Sequence, residues 1–503
     1  MLEVTEIKRL IDNDAASEKK RIAGVGVRYY EAEHDILKYR MFYYNTDGEL
    51  VEDTMRANIK VSHPFFTELA DQFTAYLLSN AEDALIVEDE NLKPLIAPYF
   101  DEEFWAECVE LVTGAYVKGF DYLYSYKGEN DRLKFDYADG MGVVEKRERS
   151  TDKNCACYIY HYIDRIEDGK KEIIRIEVHT AEDITFYVQD GKSGAIVLDD
   201  DIKPNPRPNV VYTDEDTGDK YGGSLGFVPF FRLDYNRKQI SGLKPIKGLI
   251  DNYDLMQCGL SNNLQDFDTP IHVVKGFPGD NLDELQKNIK TKKLIGIPET
   301  GGGVDIKTVD IPYEARKIKA DEDEKNIYRF GMGLNTNGLK DTSATTNLAI
   351  QAAYSLLDLK ASKFMPRFKA FLKQIVKVVI NEINEQNGAA YTADMVKFDF
   401  VPQTPINESE NAATEKTKAE TEQIRLNNVL TVAAQIGDEE VLKAICDILD
   451  LDFDELKKNI EDTDGINAAQ AALDAAVIDE GGTIPPEPVN GQEGGTEPQK
   501  EGE

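Results

Sequence analysis

At 503 residues with 41% apolar side chains, the chain is long enough for more than one core and too apolar to be disordered throughout. Its formal charge of −35 argues against a conventional nucleic-acid-binding surface, where Lys and Arg must displace counterions from phosphate. Five scattered cysteines give no disulfide framework, and the sequence has neither an apolar leader nor a run of about 18 apolar residues, so a soluble protein made in a reducing compartment is expected.

Residues 1 to about 125 read mainly helical. IKRLIDND predicts a short helix, and Lys60–Asn80 a longer one with Phe66, Leu69, Phe73, Tyr76 and Leu77 on one face. Phe104–Tyr126 predicts a further aromatic helix running into a strand. From about Leu133 to Phe231 the period changes to that of strands, with GK, DG and GG turns between them, and Pro204, Pro206 and Pro208 mark a loop. Cys155-x-Cys157 falls in a strand-like run, which would put both thiols on one face.

A long helix is predicted from Pro245 to Phe267. Ile246, Leu249, Ile250, Tyr253, Met256, Leu260, Leu264 and Phe267 form its apolar stripe; Asp251, Asp254, Asn262, Asn263 and Asp266 lie opposite. About 23 residues of helix reach roughly 35 Å. A small α/β insert follows over Thr269–Tyr313, with a strand at Ile271–Lys275, a helix at Asn281–Lys290 and two further strands about the Gly301–Gly303 turn. With little core of its own, it would gain from packing against other copies. The return helix, Glu314 to about Leu334, is polar through Lys317–Asn326, which points to solvent or a neighbouring chain.

Asn335–Asn347 is a loop without apolar periodicity. The next helix, from Asn347 to about Asn384, carries Leu357, Ala361, Phe364, Phe368, Phe371, Ile375, Val379 and Ile383 on one stripe, with a kink expected at Pro366. A strand at Lys397–Pro402 precedes three polar helices over Glu408–Ile436, Glu439–Leu449 and Phe453–Ile460. The Gly/Pro/Glu-rich end beyond about 479 is expected to be disordered.

No pattern specifies a catalytic residue, cofactor or metal. Gly191-Lys192-Ser193 imitates the end of a phosphate loop, but Phe186 stands where its first glycine belongs. Asp462-x-Asp464-Gly465 is half a calcium loop with Ile460 at its first position. Asp199, Asp200 and Asp201 would bind a hard cation only if they were not a solvated turn, and they are what a metal-dependent hydrolase would have to use. The five histidines show no ligand spacing.

Several stretches taken together resemble the portal protein family of tailed double-stranded DNA bacteriophages, in the subgroup of long-tailed phages of Gram-positive bacteria. GVRYYEAEHDI carries Gly26, Tyr29, Tyr30, Asp35 and Ile36; the stretch NIKVSHPFFTELADQFTAYLLSN, from Asn58 to Asn80, carries Asn58, His63, Phe66, Asp71, Gln72, Tyr76 and Leu77 in the matching pattern. The run from Val228 to Phe267 matches at Val228, Pro229, Phe230, Asn236, Ser241, Leu243, Leu249, Ile250, Asp251, Tyr253 and Asp254, and LLDLKAS matches over Leu356–Ser362.

The resemblance implies an α+β portal fold with wing, helical stem, small α/β clip and α-helical crown, assembled as a ring of normally twelve copies at one capsid vertex. On this chain the wing would be residues 1–244 and 348–402, the stem helices 245–268 and 314–334, the clip 269–313, the tunnel loop 335–347, the crown 403–478 and a tail 479–503. Asn335, Asn337, Lys340, Asp341, Thr342, Ser343, Thr345 and Thr346 would form the DNA-tunnel loop, which has fewer glycines than is common in the family. Asp251, Asp254, Asn262, Asp266, Lys319 and Asp323 would line the stem tunnel, and Lys287, Lys290, Lys292 and Lys293 would serve clip docking. Partners implied are further copies of the chain, double-stranded DNA as non-specific cargo, the terminase large subunit, head-completion or adaptor proteins, and major capsid and scaffolding proteins, with no membrane. The location implied is the virion, after assembly in the host cytoplasm. The resemblance implies no enzymatic activity. An oligomeric virion scaffold or adaptor without a DNA channel is the alternative.

Overall fold

The computed structural model describes residues 2–54, 56–128, 132–149, 152, 155–192, 194–213, 220–267, 271–275, 303–307, 313–335 and 347–400, and parts of 416–449. The chain divides into two compact units, 1–405 and 406–503. Among the described residues no helix is long and apolar enough to cross a membrane.

The first unit begins with helices α1 (Val4–Ala15) and α2 (Glu18–Tyr30), the latter capped by the Ser17 hydroxyl, which accepts from Lys20 N at 3.2 Å. Helix α3 covers Phe65–Leu77, shorter than the sequence predicts, because Pro64 forces the residue before it out of helical geometry. Phe66, Leu69, Phe73, Tyr76 and Leu77 are all buried. A short turn of helix, α4 (Lys93–Ile96), leads to α5 (Glu102–Lys118), which starts at the Asp101 cap and stops at Gly119, whose φ of 96° suits glycine. The chain then turns into the strand Phe120–Lys127, earlier than the sequence predicts.

That strand is the middle of a three-stranded antiparallel sheet, with Phe230–Asp234 on one side and Leu133–Ala138 on the other. A larger antiparallel sheet runs Val143–Lys146, Cys157–Glu167, Lys171–His179, Asp183–Asp190 and Ile196–Leu198 in order, with Arg207–Pro208 also paired to Asp183–Asp190. α1 covers one face of it through Ile7. Two expectations fail here. Cys155 lies before the strand begins, outside its pleat, so it packs beside Phe230 and Tyr158 while Cys157 packs beneath α1 with Ile159 and Tyr187. Asp199 is buried rather than solvated: it pairs with Arg175 at 3.5 Å and accepts from Asp201 N at 3.0 Å, so its carboxylate holds a turn.

Helix α6 (Lys247–Phe267) leaves the body and α7 (Tyr313–Gly331) returns to it. Between them the strands Ile271–Lys275 and Gly303–Lys307 pair antiparallel, which puts Gly303 in a strand and not in the turn. The predicted helix at Asn281–Lys290 lies outside the described residues. Helix α8 (Asn347–Asn387) runs through Pro366 without interruption, and every residue of its predicted stripe is buried. It is the spine of the main core, against α3, α5 and the Phe230–Asp234 strand. The strand after it, Val396–Phe398, pairs with Leu85–Val87. In the second unit, α9 (Asp438–Leu449) follows Gly437, and residues 423–429 are helical. The expected helix at Phe453–Ile460 lies outside the described residues.

Candidate functional site

Several of the residues that carry the family resemblance, among them Tyr29, Asp35 and His63, are distant in sequence and meet on the inner half of α6. Its apolar stripe is buried only there, at Ile246 and Ile250, where it joins the main core; further out Leu264 is exposed. α7 lies antiparallel beside it. Asn252 donates to Asp323, a methyl at Gly259 would meet the Arg316 guanidinium, and Gly331 sits against Ile246.

The opposite face of α6 does not look into open space. It is docked on the extended segment 57–63. Asp266 accepts from Ala57 N at 2.9 Å, Asn262 from Ile59 N at 2.6 Å, and Asp254 from His63 N at 3.0 Å; between them the Cys258 thiol contacts Val61 N at 3.2 Å. The ladder fits because four residues of helix rise about 6 Å and two residues of extended chain about 6.6 Å. Side chains at every fourth helical position therefore meet every second amide of the segment. An extended segment of this kind has no sheet neighbour for these amides, and the helix supplies the acceptors instead.

Asp254 is the centre of the site. Its Oδ2 accepts from His34 Nδ1 at 2.6 Å and its Oδ1 from His63 Nδ1 at 2.7 Å, and neither Asp254 nor His34 is exposed. Burial works to raise its pKa, but the His34 and His63 hydrogen bonds outweigh it and hold the carboxyl below the ordinary 3.8. The second ring nitrogen of His34 meets the Tyr29 carbonyl at 3.3 Å, and its ring stacks on Tyr29 at 4.4 Å. One turn earlier, Asp251 accepts from the Tyr29 hydroxyl and from Lys247 Nζ at 2.7 Å. Lys247 also reaches Asp35 at 2.6 Å, which Arg28 bonds at 3.0 Å. Burial works against the Lys247 charge, and its bonds to Asp251 and Asp35 more than restore it. Gly26 belongs here for steric reasons: a Cβ on it would fall 2.1 Å from the Val117 carbonyl oxygen, so only glycine lets α2 lie this close to α5.

Helix α7 ends in a second cluster. Tyr328 donates to Glu68 at 2.6 Å, and the Gln72 amide grips Leu334 twice, donating to its carbonyl at 3.0 Å and accepting from its N–H at 2.9 Å. Asn335 donates to Glu324 at 3.4 Å.

These positions correct part of the expected tunnel lining. Asp254 and Asp323 are fully buried, so they present no surface to a channel; Asp323 accepts from Asn252 and Lys319 instead. Asp251, Asn262 and Asp266 are partly exposed but committed to Tyr29 and Lys247, to Ile59 and to Ala57, and Lys319 serves Asp323. Polar side chains at helical spacing look alike whether they face water or other polar groups, so spacing alone does not mark Asp254 and Asp323 as buried. Asn335 is placed at the base of the loop, while Asn337, Lys340, Asp341, Thr342, Ser343, Thr345 and Thr346, and the clip residues Lys287, Lys290, Lys292 and Lys293, lie outside the described residues. Two of the five histidines, His34 and His63, share the buried Asp254 carboxylate, which spacing alone does not show. The signal for them was the Asp, Cys, Asn, Asp series at 254, 258, 262 and 266. Among the described residues no cluster of His, Cys, Asp and Glu suits a metal ion.

The family profile described as "Phage portal protein, SPP1 Gp6-like" matches residues 9–464. The chain is 27% identical over 381 residues to the portal protein of Bacillus phage SPP1, covering 74% of this chain and 71% of that protein. It is 24% identical over 421 residues to the portal protein of Clostridium phage phiCD119, covering 79% and 88%. A chain from a structure titled "Neck of native GTA particle computed with C12 symmetry" is 12% identical and covers 76% of this chain and 89% of its own, with a TM-score of 0.35, a likeness too weak to bear on the fold.

Proposed function

Because the chain belongs to the family of phage portal proteins, SPP1 Gp6-like, we propose that its copies close into a ring, normally of twelve, at one vertex of the capsid. The ring is a conduit for DNA during packaging and ejection, and its outer end is the docking platform for the terminase motor and the head-completion proteins. The chain supplies a frame, not the energy for translocation.

The observation that carries this reading is the helix pair. α6 leaves the body, a strand pair bridges the far end, and α7 returns antiparallel, with the junction locked by Asp254 and Asp251. Such a projection buries little of its outer half within one protomer, where Leu264 and Ile318 are exposed. A closed heterologous ring covers such faces with the next copy. The charge of −35 supports a conduit through which DNA slides without adhering, because like charge repels phosphate. In this reading residues 335–347 are the tunnel loop, with Lys340 touching phosphates lightly, and Lys287, Lys290, Lys292 and Lys293 serve the clip surface that meets the motor.

The test is DNA filling of heads assembled with this chain. Removing residues 337–345 should leave rings intact and lower filling at least tenfold, and Lys340→Ala should lower it less. Full heads with the loop removed would contradict a tunnel-loop role for this segment.

A further inference from the structure

The chain leaves α7 at Gly331 and enters α8 at Asn347, so residues 332–346 link two described helices. A hydrogen bond ties those two helices together. Lys360, more than three turns into α8, donates from Nζ to the Gly331 carbonyl at 3.1 Å, at the C-terminal end of α7 where carbonyls lack helical partners. Lys360 is 4% exposed. From α3 it meets the Phe73 ring at 4.9 Å and from α5 the Tyr116 ring at 4.1 Å. Burial pushes the Tyr116 hydroxyl well up, so it stays neutral. Asp358, on Lys360's own helix, is exposed and takes the Tyr76 hydroxyl at 3.4 Å. Among the described residues no carboxylate forms an ion pair with Lys360.

We propose that Lys360 is a positioning residue for this link: a buried latch from α8 onto the end of α7 that, with the Gln72 amide on Leu334, fixes residues 331–335, which lead into the segment 336–346. The structural evidence for the latch is independent of ring formation; its importance for DNA passage rests on the tunnel-loop reading above.

The chemistry separates a latch from a core filler. An amine without a counter-charge is a costly way to fill this space, and a methionine of similar length fills it without a charge. What the amine adds is a donor to the helix end, held over two aromatic faces. Burial brings its pKa down from 10.5 to about 7. The folded value lies below the unfolded one, so the cost of burying the charge is full below about pH 7 and fades as pH rises toward 10.5.

The experiment is hydrogen–deuterium exchange and thermal unfolding of the full chain as wild type, Lys360→Met and Lys360→Gln. The Met variant should exchange the amides of 332–335 roughly tenfold faster, the factor one lost hydrogen bond gives. It should nonetheless melt higher, with a larger gain at pH 6 than at pH 9.5. The Gln variant keeps a neutral donor and should restore protection without the pH dependence. Unchanged exchange at 332–335 in the Met variant would overturn the latch, whatever its melting temperature. Should that variant not fold, Gln72→Ala tests the same link from the other side. It should speed acetylation of Lys360 by acetic anhydride about tenfold, and an unchanged rate would equally overturn the proposal. Both readouts are made on the free chain, so a failed DNA-filling assay bears on the tunnel loop and not on the latch.

Discussion

Asp254 is the most heavily bonded carboxylate where the N-terminal region meets the projecting helix pair. Asp254 takes hydrogen bonds from two histidine rings and a backbone amide while fully buried, so removing its charge leaves donors without a strong acceptor. Asp254→Asn should cost about 2–3 kcal/mol in urea unfolding at pH 7. Its pKa is lower folded than unfolded, so the stability it contributes is complete above the ordinary 3.8 and lost as pH falls through the lower folded value. Below about pH 4 the Asn variant should therefore show a shallower fall in stability than the wild type. An equal slope in the two proteins would count against this account of Asp254. Little of this was legible beforehand, because His34 and His63 are 29 residues apart and acquire a shared partner only when residues 57–63 lie along α6.

At the scale of elements, hydrophobic period was a good guide wherever a face is buried within one protomer. The α8 stripe from Leu357 to Ile383 and the α3 face from Phe66 to Leu77 are buried as their spacing predicts. Period failed where the partner is backbone. The polar side of α6 reads as a solvated or channel face, yet Asn262 and Asp266 accept amides of the 57–61 segment. Asn262→Ala together with Asp266→Ala should release that segment. The Ala57 and Ile59 amides would exchange at least tenfold faster, while global stability falls by only about 1–2 kcal/mol, since the freed amides can find water. Slow exchange in the double variant would show that something other than these two side chains holds the segment. The strand assignment at Ile271–Lys275 also matches the sequence reading, whereas the helix read over Phe104–Tyr126 stops at Lys118 and gives way to a strand already at Phe120.

For the whole molecule, a family resemblance spread over four separate motifs was more informative than any one of them, and the structure supplies a physical reason. Tyr29, Asp35, His63, Asp251 and Asp254 belong to one hydrogen-bonded junction, and Gln72 and Lys360 to the neighbouring link between α7 and α8. Assembly was less legible, because a ring interface is written in the surfaces of two copies and one sequence shows only one. The exposed Ile318, Phe330 and Leu264 on the projecting helices are the faces that a neighbour would cover. Charge of −35 on every copy opposes that contact, so ring formation should strengthen as salt screens the repulsion. The most direct test of the central claim is native mass spectrometry of the purified chain, with single-particle images of the same sample at moderate salt. Closed rings with a central opening, at or near twelve copies, are expected. A compact dimer without an opening would contradict that claim.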